Sequence, residues 1–341
     1  MTTGHSRHLV LAGGIAAALA VATPVTAAPG VGTITPFTGN ISATACVNPE
    51  GLTIDLLGNF YIGSAATLPT GTICQLSPHG AIKKTISIPP GPGQLVSLLG
   101  LHFEGTRTVF ALDFADTLAH PGATNGRVLA VDTVSGVVKT LASGFSFPNG
   151  IAEDLQGNLY VADSFQGAIT RLAQDGSHKT VWSSDPLLAG NPAAPLPIGA
   201  NGIAFDLFFQ NVYVSVTSQR RIVRIPVGPG GSAGAAQVVA DGPTIDASQH
   251  TTNALLGADG IAFDLAGNLY VAANANAEIQ VLSPSAHLVA RYADPSLPID
   301  VPASLLFVGN KLFFTNLSLF DGGVNSSVAV LRTPLPGLPP L

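Results

Sequence analysis

The chain has 341 residues, 46% of them hydrophobic and 10% charged, with a formal net charge of -6. That much apolar material supplies a large buried core and is incompatible with a disordered chain. With only 14 Lys plus Arg and no basic stripe, the balance argues against a phosphate-backbone partner, so no nucleic acid is expected.

At the N-terminus Arg7 precedes an apolar run from Leu9 to Ala22, and small residues follow around Val25, Ala27 and Ala28. This pattern predicts a signal peptide over residues 1–27 and an exported mature chain over 28–341, secreted or periplasmic. The run is short for a spanning helix and nothing later is long and apolar enough, so no membrane span is expected. Cys46 and Cys74 flank the first unit of the mature chain. In an oxidising compartment they can pair as a disulfide; otherwise they are two small buried hydrophobes.

A phrase of one skeleton then recurs. It reads PEGLTIDLLGNFYIGS from Pro49, LGLHFEGTRTVFALD from Leu99, PNGIAEDLQGNLYVAD from Pro148, ANGIAFDLFFQNVYVSV from Ala200, ADGIAFDLAGNLYVAA from Ala258 and ASLLFVGNKLFFTN from Ala303. In each unit an apolar strand, a turn, an alternating strand and two further short strands follow one another. Repeats of this length, six in all, predict an all-β six-bladed propeller with four antiparallel strands per blade. The last unit shows three strands, Ser304–Val308, Leu312–Thr315 and Ser327–Arg332, before a Pro-rich tail. The segment Gly32–Phe37 is expected to supply the missing outer strand and close the ring as one domain. The long connections, Phe114–Asn125, Ser183–Gly199, Asp241–Gly257 and Leu317–Val324, all fall on one face, where function on a rigid scaffold usually sits.

Aligned on the Gly that opens the innermost strand (Ser304 in the last unit), the preceding residues read Glu50, Leu99, Asn149, Asn201, Asp259 and Ala303. Equivalent positions converge on the axis of a ring, so Glu50, Asn149, Asn201 and Asp259 are expected to meet at the channel mouth. Two carboxylates and two amide carbonyls form a hard-oxygen set suited to Ca²⁺. The competing explanation is that Asn-Gly and Asp-Gly are turn dipeptides placed where φ is positive. Glu50, Leu99 and Ala303 at the same position speak against it.

These repeats, the PEG start at Pro49 and the count of six resemble the gluconolactonase/regucalcin family of calcium-dependent propellers, with diisopropylfluorophosphatase and paraoxonase as distant relatives. The resemblance spans the mature chain. It implies that Glu50, Asn149, Asn201 and Asp259 hold a catalytic Ca²⁺, and that the substrate is a small-molecule lactone or ester, or a phosphotriester. Members that act on sugar lactones carry an Arg two residues before the first Asn, where this chain has Phe147, and paraoxonase-like members carry a His where it has Leu99. The implied substrate is therefore an apolar ester or lactone.

Asp259, a metal ligand with a free oxygen, is the first choice for nucleophile or general base. His250, in the insertion ahead of it, and His120, after the second strand of the second unit, are the remaining catalytic candidates. Asp113 and Asp163 end second strands on the same face and are candidates to orient a metal ligand or a substrate hydroxyl from behind, with turn or loop solvation as the favoured competing explanation. The first-strand acids Asp55, Asp154, Asp206 and Asp264 read as turn chemistry on the far face. Glu153 stands where the other units have Ile54, Phe103, Phe205, Phe263 and Phe307, and a carboxylate at a packed position needs a partner. The expectation is a monomeric, exported, Ca²⁺-dependent hydrolase. The competing class is a non-catalytic NHL-repeat propeller that binds a protein or glycan, and a synthase resembling strictosidine synthase is more distant because it lacks a positioned Glu besides Glu50.

Overall fold

The computed structural model describes residues 31–339 except 116, 119, 121 and 294–298; residues 1–27, expected from the sequence to be a signal peptide, lie outside the described residues. Its strands form six four-stranded antiparallel sheets. Blade 1 comprises Pro49–Ile54, Phe60–Ser64, Gly71–Leu76 and Ile82–Ile88, and blade 2 comprises Leu98–Glu104, Thr108–Asp113, Gly126–Asp132 and Val138–Phe145. Blade 3 runs through Pro148–Glu153, Asn158–Asp163, Ala168–Ala173 and Thr180–Ser183, and blade 4 through Ala200–Phe205, Asn211–Val216, Arg221–Pro226 and Gln237–Asp241. Blade 5 is Ala258–Phe263, Leu269–Ala273, Glu278–Leu282 and Leu288–Tyr292. Blade 6 is Pro302–Val308, Lys311–Asn316 and Ser327–Arg332, completed by Ile34–Pro36 at its outer edge. Ile34 pairs with Leu331 in that closure, so the N-terminal strand latches the ring as the sequence predicts.

The core lies between blades, and one contact repeats. The second-strand tyrosine of a blade packs on the first-strand phenylalanine of the next: Tyr61 on Phe103, Tyr160 on Phe205, Tyr213 on Phe263 and Tyr270 on Phe307, with centroids 4.9–5.6 Å apart. Glu153 occupies the corresponding place between blades 2 and 3. Its partner is the buried His102 of blade 2, whose Nε2 lies 2.5 Å from Glu153 Oε2.

The acids at the ends of first strands form turns on the lower face. Asp55 accepts the backbone N–H of Leu57 and Asn59, and Asp154 and Asp264 do the same for their own turns. This is the turn role read from the sequence. Cys46 and Cys74 are joined by a disulfide that ties the chain ahead of blade 1 to its third strand. The insertion Asp241–Gly257 differs from the loop expected: it contains a short helix, Gly242–Gln249, capped by Asp241, whose carboxylate accepts the Thr244 N–H at 2.9 Å. Among the described residues no helix is long and apolar enough to cross a membrane.

Candidate metal centre at the channel mouth

The innermost strands share a defect. In all six blades the register of the first strand slips after its first residue, between Pro49 and Leu52, Leu98 and Leu101, Pro148 and Ile151, Ala200 and Ile203, Ala258 and Ile261, and Pro302 and Leu305. The bulge falls on the residue before the aligned Gly, and a bulge re-aims a side chain out of the ladder. The glycines that follow have no positive φ. Each is required by close approach instead: a Cβ on Gly51, Gly100, Gly150, Gly202 or Gly260 would lie 2.1–2.4 Å from the backbone carbonyl oxygen of the next blade's Leu99, Asn149, Asn201, Asp259 or Ala303. The turn-dipeptide explanation is thus corrected by the backbone geometry.

This packing brings the first strands around one small cavity of about 80 Å³, lined by Glu50, Asn149, Asn201 and Asp259 above a ring that includes Leu52, Leu101, Ile151, Ile261 and Leu305. All four polar residues are buried. Hydroxyl groups knit neighbouring blades beneath them: Ser215 Oγ accepts the Gly202 N–H at 2.8 Å and donates to the Asp259 carbonyl at 2.6 Å, and Thr315 does the same for Ser304 and Glu50 at 3.0 and 2.9 Å.

The side chains are held from behind. Asn149 Nδ2 donates to Ser164 Oγ at 3.2 Å, Asn201 Nδ2 to Thr217 Oγ1 at 3.0 Å, and Asn274 Nδ2 to Asp259 Oδ2 at 3.0 Å. Ser164 and Thr217 in turn donate to the carbonyls of Ala200 and Ala258 in the following blade. Fixing the amides by their nitrogen ends leaves Oδ1 as the oxygen each can offer a cation. Glu50 Oε2 is buried without a hydrogen-bond partner. An orphaned carboxylate oxygen beside three oxygen-bearing side chains fits a hard divalent cation. Burial pushes the Glu50 carboxyl well up, with the charge of Asp259 adding to the effect. Burial likewise raises Asp259 to about 6, against the lowering effect of hydrogen bonds from Asn274 and Asn201.

The other residues singled out in the sequence lie elsewhere. Asp113 accepts the N–H groups of Ser97 and Ala115 and pairs with Arg127, and Asp163 accepts those of Ser146 and Phe147. Both therefore fasten the backbone entering a first strand and orient no ligand side chain. That role belongs to Ser164, Thr217 and Asn274, each 15 or 16 residues after the group it holds. His250 is exposed at the C-cap of the helix, with φ of 52°, and His120 is exposed on its loop; neither lines the cavity. On the same face Phe147 packs between Phe114 and Phe165, at centroid distances of 4.5 and 4.7 Å, with Leu99 in the same cluster.

Residues 197–317, which contain Asn201 and Asp259, match the model of the SMP-30/Gluconolactonase/LRE-like region. The matched segment spans blade 4, blade 5 and the first two strands of blade 6 of the six-bladed propeller. A search of curated proteins finds no significant match. Among solved structures, the chain is similar to a calcium-binding protein, regucalcin, from Agrobacterium tumefaciens, at 17% identity, TM-score 0.59, covering 86% of this chain and 92% of that one. It is also similar to a luciferin-regenerating enzyme, at 17% identity and TM-score 0.60 over 86% of this chain and 94% of that one. A nidogen/laminin complex contributes a third likeness, at 18% identity and TM-score 0.52 over 75% and 85% of the two chains. At these identities the likeness is one of fold, and the same fold carries both enzymes and binding modules.

Proposed function

We propose that the chain is an exported, monomeric hydrolase that acts on a small apolar lactone or ester at the upper channel mouth and depends on Ca²⁺. The observation that carries this reading is the convergence of Glu50, Asn149, Asn201 and Asp259 on one cavity, with Glu50 Oε2 buried and unpartnered. The match to a gluconolactonase-like region supports the reaction class, and the calcium-binding regucalcin of the same fold supports the ion. The Cys46–Cys74 disulfide suits an oxidising compartment and so supports export.

Glu50, Asn149, Asn201 and Asp259 would hold the ion, leaving the solvent side for substrate. Calcium bound there supplies Lewis-acid polarisation of the substrate carbonyl and stabilises the negative charge that develops on its oxygen. Asp259 accepts the proton of the attacking water. Asn274 holds its Oδ2, which fixes the orientation of the carboxylate. The shared apolar ring of Leu52, Leu101, Ile151, Ile261 and Leu305 closes the floor, so substrate enters and leaves by the upper mouth. Phe147, two residues before Asn149, is packed between Phe114 and Phe165, and its side chain carries no donor for a hydroxyl-rich substrate.

The test is hydrolysis of a panel of lactones and aryl esters with and without Ca²⁺. The reading expects turnover of apolar members that a calcium chelator removes and Asp259→Asn abolishes. Turnover indifferent to both would place the chemistry elsewhere.

A further inference from the structure

The channel has a second polar cluster at its opposite end. The apolar ring that floors the upper cavity also roofs a larger one of about 340 Å³ on the lower side, into which His102 and Glu153 project among Phe205, Phe263 and Phe307. Asn149 and Glu153 stand four residues apart on one strand, so the two clusters are separated by roughly 13 Å. His102, Glu104 and Glu153 each place a ligand atom within 4.8 Å of the other two. His102 and Glu153 are buried and line the cavity, and Glu104 is half-buried beside them.

Two features distinguish this cluster from an ordinary packed ion pair. It interrupts the repeated aromatic contact at the junction of blades 2 and 3, where Glu153 takes the place of the first-strand phenylalanine and pairs with His102, a first-strand residue of blade 2 whose ring stacks parallel to that of the second-strand Phe110. Placing a buried carboxylate and its imidazole partner where the other blades pack an apolar side chain brings little stability on average, so the pair calls for another reason. The second feature is orientation: Gln174 Nε2 donates to Glu153 Oε1 at 2.6 Å, which holds one carboxylate oxygen from behind and points the other at His102 and the cavity. The backbone makes room for it, because Gly157 stands at φ of 78° where a Cβ would come 3.3 Å from Gln174 Nε2 and 3.5 Å from Glu153 Oε1.

We propose that His102, Glu104 and Glu153 form a second metal site, selective for a divalent transition ion such as Zn²⁺, at the lower mouth of the channel. One imidazole and two carboxylates match the N/O donor preference of Zn²⁺, whereas the all-oxygen set at the upper mouth matches Ca²⁺. Ligand atoms on one zinc ion stand about 3 to 3.5 Å apart, so small torsional adjustments of side chains already within 4.8 Å suffice. Three protein ligands leave a fourth position facing the lower cavity, open to water or to a coordinating small molecule. The tail closes part of that cavity with Leu338 and Pro339, anchored by the Leu338 N–H to the Phe263 carbonyl at 2.9 Å.

The test uses the full chain, freed of metal and then saturated with Ca²⁺, and titrated with Zn²⁺ by calorimetry and with Co²⁺ by visible absorption. Wild type, His102→Ala and Glu104→Gln are compared, with circular dichroism reporting the fold of each. The expected result is one Zn²⁺ equivalent and a Co²⁺ ligand-field band in wild type, both lost in His102→Ala. In Glu104→Gln, an isosteric change at a half-buried side chain, affinity drops by more than about tenfold, at least the cost of losing an outer-shell partner. Absence of Zn²⁺ uptake by wild type overturns the site, and so does equal uptake by wild type and folded Glu104→Gln, which would assign the ion to other histidines.

Discussion

The close approach of the inner strands makes Gly202→Ala an informative perturbation. An alanine Cβ there would stand 2.3 Å from the Asp259 carbonyl oxygen and 2.9 Å from the Gly260 Cα, both backbone atoms of the neighbouring blade. Ordinary contact begins near 3.4 Å, so blades 4 and 5 must separate by about 1 Å at the channel mouth. No flexible side chain can absorb the shift, and overpacking of this kind costs about 2–3 kcal/mol. The same movement displaces Asp259 from the other three donors, so Ca²⁺ affinity is expected to fall with stability. Urea denaturation at constant m-value measures the first effect. Gly39→Ala, where nothing lies within 4 Å of the new Cβ, serves as the control and should stay within about 0.5 kcal/mol of wild type. A Gly202→Ala variant as stable as that control would refute the close-approach argument and restore the reading of these glycines as turn residues.

Breaking the Cys46–Cys74 disulfide, which spans 28 residues, should cost about 3.5 kcal/mol by loop-closure entropy, read as a lower urea midpoint in Cys46→Ser or under reductant. Ca²⁺ affinity should weaken on acidification through pH 6: Asp259 titrates near 6 and must be ionised to bind, so each further unit of acid costs roughly tenfold, with Glu50 adding to the loss. The sign reverses for the metal-free protein, because a raised folded pKa stabilises at low pH. That contribution is complete below the unfolded value near 3.8 and lost as pH rises through about 6, so the metal-free chain melts lower at pH 7 than at pH 4.5 to the extent set by this group.

The ring was legible because each blade repeats one phrase whose parts have separate physical jobs. In DLLGN or DLAGN the Asp folds the turn, and in LYV the Tyr packs against the next blade's Phe. The N-terminal latch followed from the missing strand of blade 6. Convergence of the four oxygen donors followed from ring symmetry applied to one alignment column. The side chains that hold those donors were not read, although the signal was present: the residue just past the second strand is Ser164, Thr217 or Asn274 after the two Asn and Asp259, but Ala65 after Glu50. That alanine cannot donate, consistent with Glu50 alone keeping a bare buried oxygen. Asp163, one residue earlier, points the other way in a strand that alternates, and so reaches backbone instead. The partner of Glu153 was beyond the sequence because His102 is on a different blade, and only the packing between blades brings the two within 2.5 Å. The helix Gly242–Gln249 was missed for a different reason: it is eight residues long, with few apolar positions to show a period.

Calcium titration of the metal-free chain by calorimetry, with Glu50→Gln, Asn201→Ala and Asp259→Ala beside wild type, tests the central claim most directly. The account predicts one Ca²⁺ equivalent in wild type, lost in Asp259→Ala and Asn201→Ala and weakened in Glu50→Gln, while all three variants keep the β-sheet signature of the ring. A folded wild-type chain that binds no calcium, or variants that bind it as wild type does, would contradict it.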